Sequence, residues 1–78
     1  MAKKPERTFR IGHVSASVFA NDTTGDNPRT VRNVNVQRSY QDNGEWRNSS
    51  TFGLADLPAA IRVLQLAQQH VEEAEAEV

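Results

Sequence analysis

Cysteine is absent from the 78 residues, glycine occurs four times and proline three, and the aromatic side chains number only five, three Phe, one Trp and one Tyr. Each shortage excludes something. No disulfide can staple the chain, and two histidines without cysteine make no ligand cluster for a structural metal. A chain this short lies near the lower limit for a self-sufficient core, which supplies about 3–5 kcal/mol. Association of two copies is the remaining source of buried apolar area, so a homodimer is expected. No run of about 18 apolar residues is present to span a membrane, and the charged stretch from Met1 to Arg7 leads into no apolar secretory segment. The expectation is a soluble, cytoplasmic protein without membrane partners. Asn21-Asp22-Thr23 and Asn48-Ser49-Ser50 match the glycosylation sequon, but without a secretory signal they read as polar loop and strand.

Catalytic groupings are equally scarce. Acid–base work needs titratable groups brought together, and nucleophilic catalysis needs a Ser, Cys or Lys beside a base. His13 and His70 share no ligand spacing, the carboxylates fall in turns or near the C-terminus, and no phosphate-cradling glycine loop or nucleophile elbow is present. The chain reads as a binding module, not an enzyme, with no cofactor and no metal.

The formal net charge is −1, but the charges are unevenly placed. Residues 1 to 53 carry eight basic side chains against five acidic ones, whereas Glu72, Glu73, Glu75 and Glu77 crowd the last seven positions. A mildly basic body followed by an acidic tail suggests an anionic partner for the body.

Along the chain, residues 1–7 read as a disordered N-terminal segment and 8–73 as one domain, with 74–78 an acidic frayed tail. Phe9 and Ile11 share one parity, while Val14, Ala16, Val18 and Ala20 share the other. Gly12 is where a bulge or bend would fall between strands 8–11 and 13–20. Residues 21–28 are turn formers and predict a surface loop. Thr30 to Gln41 alternates again as a strand, Asp42-Asn43-Gly44 signals a hairpin, and Glu45 to Phe52 forms the last strand. The fold class expected is α+β, an antiparallel β-meander of three to four strands followed by one C-terminal helix, ββββα.

The hairpin fixes which residues share a face. A two-residue Asn43-Gly44 turn sets Tyr40 opposite Arg47 and mixes apolar with polar on both faces. A three-residue loop with a bulge at Gly44 sets Tyr40 opposite Trp46 and Val34 opposite Phe52, and sorts them. The second choice is expected. One face then holds Val34, Val36, Tyr40, Trp46 and Phe52, with Arg38, Asn48 and Ser50 also on it, and the other Asn33, Asn35, Gln37, Ser39, Gln41, Arg47, Ser49 and Thr51.

Asp56 is the expected N-cap of a helix from Leu57 to about Glu73, with Pro58 in its first turn. Leu57, Ile61, Leu64, Gln68 and Val71 follow the spacing of a sheet-covering stripe. Val63, Leu66 and Ala67 fall outside it, an apolar width that predicts a second copy of the helix. The dimer interface expected is Ile61, Val63, Leu64, Leu66, Ala67 and Val71.

Several of these residues resemble the C-terminal single-stranded DNA-binding domain of the transcriptional coactivator positive cofactor 4 and its bacterial relatives. Phe9-Arg10-Ile11-Gly12 is similar to that family's opening Phe-x-Ile-Gly strand. Val34-Asn35-Val36 with Tyr40, Asp42 and Gly44-Glu45 is similar to its central hairpin, and Leu54 through Leu64 to its passage from strand to helix. The resemblance covers about residues 9 to 70. It implies four strands and a helix per protomer, a dimer mediated largely by helices, and single-stranded DNA gripped across the sheets. His13 and Arg47 stand where the family places lysines, Gln37 where it has an arginine, and Tyr40 where it has a stacking tryptophan.

The function expected is non-catalytic binding of single-stranded DNA or RNA by a homodimer, on a polar and basic sheet face. Arg10, His13, Phe19, Arg32, Gln37, Arg38, Tyr40, Trp46 and Arg47 are the candidate contacts, with amides and hydroxyls to hydrogen-bond, arginines for phosphates and aromatics to stack. The alternative is a protein interaction or assembly module that uses the wide apolar helix face or a strand edge.

Overall fold

A computed structural model of the chain describes residues 4–76. Four antiparallel strands lie side by side in sequence order, β1 (Arg7–Ile11), β2 (Val14–Asp22), β3 (Thr30–Asp42) and β4 (Glu45–Ser49). A single 3-10 turn, Leu54–Asp56, leads into helix α1 (Leu57–Glu75). The expected ββββα order is the one observed.

Local chemistry sets each connection. β1 and β2 meet in a two-residue turn, Gly12-His13, with Ile11 opposite Val14. Gly12 has φ +60° and opens that turn, a role glycine fills without steric cost. The parity change at Gly12 therefore marks a tight hairpin and not a bulge. At the other hairpin Asn43 (φ 52°) and Gly44 (φ 81°) are both left-handed, the signature of a type I′ turn. Asp42 pairs with Glu45, Gln41 with Trp46 and Tyr40 with Arg47. The expected three-residue loop is thus corrected to two. The right-handed twist of the flanking strands matches a type I′ turn, and the Asn-Gly pair supplies both positive φ angles, which outweighs tidy sorting of polar from apolar.

The core is small and made of small residues. Val14, Ala16 and Val18 of β2 are buried against Ala60, Val63 and Ala67 of α1, with Phe9, Val36, Phe52, Ala59 and Val71 packed around them. The helix is therefore turned from the expected stripe. Leu57, Ile61 and Leu64 are exposed, and Val63 and Ala67, placed at the expected dimer interface, lie wholly inside the protomer. Ala60, Val63 and Ala67 let the helix approach closely over Ala16, and a leucine at the same contact would hold it away from the sheet.

Asp56 takes the expected N-cap position, but its side chain makes no capping hydrogen bond to the helix: its carboxylate accepts the Gly53 N–H at 3.3 Å and lies 3.5 Å from the Arg38 guanidinium. The expected boundaries shift slightly. The Glu6 N–H donates to Val18 O and β1 begins at Arg7, so the ordered domain starts before residue 8. The helix extends to Glu75, two residues past its expected end. Residues 1–3 and 77–78 of the expected terminal segments lie outside the described residues.

Candidate nucleic-acid interface

The strand register assigns every side chain to one of two sheet faces, since residues directly opposite in an antiparallel pair point the same way. The face away from the helix carries Thr8 and Arg10 of β1, and Ser15, Ser17, Phe19 and Asn21 of β2. From β3 come Val31, Asn33, Asn35, Gln37, Ser39 and Gln41, and from β4 Trp46 and Asn48. Val31 is the only aliphatic residue among them. Hydroxyls and amides knit parts of this surface: Thr8 Oγ1 lies 3.2 Å from Ser17 Oγ, and Ser39 Oγ donates to Asn48 Oδ1 at 3.1 Å.

Two aromatic rings stand on this polar sheet. Phe19 is half-buried opposite Asn33. Trp46 is 62% exposed opposite Gln41, and its ring centroid lies 6.0 Å from that of His13 in the β1–β2 turn. Beside the pair the sheet is notched, because β2 begins only at Val14 while β3 runs on to Asp42. The notch is a cavity of about 360 Å³ lined by His13, Arg38, Ser39, Tyr40, Gln41, Trp46 and Asp56.

Of the nine candidate contacts, Arg10, Phe19, Gln37 and Trp46 share the open face, with His13 beside them in the turn. Arg32, Arg38, Tyr40 and Arg47 are on the helix side. For Arg47 this corrects the expected face and follows from the two-residue turn, which also brings Trp46 to the open face; Tyr40 and Arg38 keep the face expected of them, which takes them off the open surface as contacts. Each of the three arginines already has an acidic neighbour. Arg32 Nε donates to Glu6 Oε1 at 2.9 Å, and Arg38 Nε donates to Thr51 O at 3.1 Å beside Asp56. Arg47 lies 3.3 Å from Asp42 and 3.6 Å from Glu45. The Arg38 guanidinium also sits 5.2 Å above the Tyr40 ring. The open face is consequently amide-rich and aromatic, with Arg10 as its cation among the described residues.

Residues missed by the sequence reading are Thr8, Ser15 and Ser17. The strict alternation of Ser15 and Ser17 with Val14, Ala16 and Val18 was the signal that could have found the two serines.

At the other end of the sheet Glu6 joins three elements. It accepts from Arg32 of β3 and lies 2.8 Å from His70 Nε2 of α1. The Arg32 hydrogen bond and, after it, the His70 contact lower the Glu6 carboxyl from the usual 4.5 to about 2, and the same bond raises Arg32.

No protein-family model, curated protein or solved structure matches this chain. The reading of the site therefore stands on its geometry. Among the described residues no group of His, Asp and Glu is arranged to hold a metal ion. No helix among the described residues is long and apolar enough to cross a membrane.

Proposed function

We propose that the chain is a non-catalytic binding protein for single-stranded nucleic acid, DNA or RNA, held on the open face of the sheet. The observation that carries this is the exposed Trp46 indole, set beside His13 on a surface otherwise made of Asn, Gln, Ser and Thr. The indole, 62% exposed, presents a flat apolar face beside hydrogen-bonding amides and hydroxyls, a combination suited to stacking. Unpaired bases offer a flat partner, and amides and hydroxyls hydrogen-bond their edges without demanding one sequence. The resemblance of Phe9 to Gly12 and of the central hairpin to positive cofactor 4 supports the same reading.

The placement of the arginines shapes the proposal. Arg32, Arg38 and Arg47 face the helix side and are paired with acids, so the phosphate-binding charge on the open face is small. Affinity then leans on stacking more than on counterion release. Titrating the protein with an oligothymidylate while following its single tryptophan tests the reading. Binding should quench Trp46 fluorescence and weaken only modestly between about 50 and about 200 mM salt. No change in emission and no binding at the lower salt would refute it.

A further inference from the structure

β3 is thirteen residues long, yet β4 pairs only with its last five, Arg38 to Asp42. From Thr30 to Gln37 the strand has β2 on one side and no strand on the other. The main-chain bonds of Thr23 with Arg29 and of Ser39 with His13 show that odd-numbered positions of β3 point their N–H and C=O groups toward β2. Alternation therefore directs those of Thr30, Arg32, Val34 and Val36 outward. Among the described residues no hydrogen bond reaches these outward groups.

Proteins blunt such an edge with shortness, proline or unpaired charge. β1 and β4 are blunted by shortness, each having five residues, and β1 also carries Arg7 and Arg10. The free stretch of β3 contains no proline and no lysine, and its one cation, Arg32, is neutralised by Glu6 at 2.9 Å.

Apolar surface lies along the same edge. On the helix side of β3, Val34 is 37% exposed. Leu66 and His70 on one flank of α1 line a cavity with Arg7 and Phe9 of β1, which turns the opposite flank, with exposed Leu57, Ile61 and Leu64, toward β3.

We infer that this edge receives a second copy of the chain, its β3 pairing antiparallel with the first about a two-fold axis, so that two four-stranded sheets join into one of eight. A strand edge is self-complementary under that symmetry. Side-chain parity allows only registers that keep each face on its own side. Centring on Arg32 would set Arg32 against its own copy, and centring on Asn35 would set Arg32 against the second copy's Arg38. Centring on Val34 would set Thr30 against the second copy's Arg38, whose edge Ser49 already holds. Centring on Asn33 sets Arg32 against the second copy's Val34 and Thr30 against its Val36, with no like charges opposite one another and β4 left in place, so the register with Asn33 on the axis is the one that fits.

This interface differs from the helix-mediated dimer that the family resemblance implies. It has a consequence for the open faces. They lie on the same side of the joined sheet, and the Asn33 and Asn35 side chains of both copies meet at the seam.

Because the chain has no cysteine, single thiols report the contact cleanly. The full chain should sediment as a dimer at tens of micromolar. Mild oxidation with copper phenanthroline should link Asn33→Cys into disulfide dimers while leaving the solvent-facing Gln65→Cys unlinked. Amide exchange at Arg32, Val34 and Val36 should slow as protein concentration rises. A chain that stays monomeric throughout overturns the inference, as does a dimer that is trapped through Leu64→Cys and not through position 33. No nucleic acid enters these measurements, so their failure is distinct from failure of the oligonucleotide titration.

Discussion

The imidazole of His13 and the indole of Trp46 stand with ring centroids 6.0 Å apart and planes inclined by 34°, one in the β1–β2 turn and the other on β4. The pair brings the two ends of the sheet's connectivity to one corner. If Trp46 stacks on a base, replacing it by alanine removes about 1–3 kcal/mol, a rise in Kd of roughly five-fold or more. Fluorescence polarisation with a labelled oligonucleotide measures this, and an unchanged Kd would count against the site.

Arginine substitutions separate the two faces. Arg10→Ala should lower the slope of log affinity against log salt by about 1, as expected for one lost phosphate contact. Arg47→Ala, which removes a side chain already held by Asp42 and Glu45 on the helix side, should leave affinity and slope unchanged. A larger loss from Arg47 than from Arg10 would invert the assignment of faces.

The Glu6 contacts make stability depend on acid pH. Its carboxyl is lowered from 4.5 to about 2 by Arg32 and His70, so the folded state favours the ionised form. The stabilisation is complete above about pH 4.5 and fades as pH falls toward 2. Glu6→Gln should therefore lower the melting temperature at neutral pH, and the gap between variant and parent should close by about pH 2. A gap that persists at the acid end would show that the pairing is not its cause.

Adjacent helix positions should differ sharply. Val63→Ala, in the core, should cost about 2–3 kcal/mol by loss of buried methyl groups and the cavity left behind. Leu64→Ala loses a larger group from an exposed flank and should cost the protomer under about 1 kcal/mol. Urea unfolding of the two variants reads the rotation of α1 directly.

Gly44→Ala forces a side chain into a backbone with φ +81° and should cost about 1–2 kcal/mol. Circular dichroism melts quantify the loss. Equal stability of variant and parent would argue against the type I′ turn.

Much of the meander was legible because its punctuation is chemical. Gly12 divides two runs of opposite parity, Asn43-Gly44 can scarcely avoid a turn, and Thr23 to Pro28 form the expected loop, although Asn21 and Asp22, expected in it, extend β2 opposite Val31 and Thr30. What could not be read was choice among compatible geometries. At Asn43-Gly44 the pattern of apolar residues favoured a longer loop, whereas backbone twist favoured the shorter one, and Trp46 and Arg47 exchanged faces as a result. On α1 the large residues Leu57, Ile61 and Leu64 advertised a stripe, yet closeness of approach over Ala16 decided in favour of Ala60, Val63 and Ala67. Steric fit between two surfaces is a property of both, and neither strand nor helix carries it alone. The same limit hid the three arginines' partners, since Glu6 is twenty-six positions from Arg32 and meets it only after the sheet has formed.

At Arg38 β3 has ladder partners on both sides, Val14 of β2 and Ser49 of β4, and Ser39 makes the last bond toward the β2 side, to His13 O. On either side of Arg38 the strand belongs to different neighbours: the earlier part is sealed under the helix with β2, and the later part forms an arm with β4 alone. Such a chain need not open all at once. The arm from Tyr40 to Asn48 contributes nothing to the buried core, so it can detach by breaking its own ladder while β1, β2 and α1 stay closed. Exchange of its amides would then run ahead of global unfolding, with the guanidinium of Arg38, fastened to Thr51 and Asp56, as the pivot. Trp46 rides on that arm, so detachment of the arm would take with it the corner that presents the indole, leaving the helix-covered half of the sheet in place.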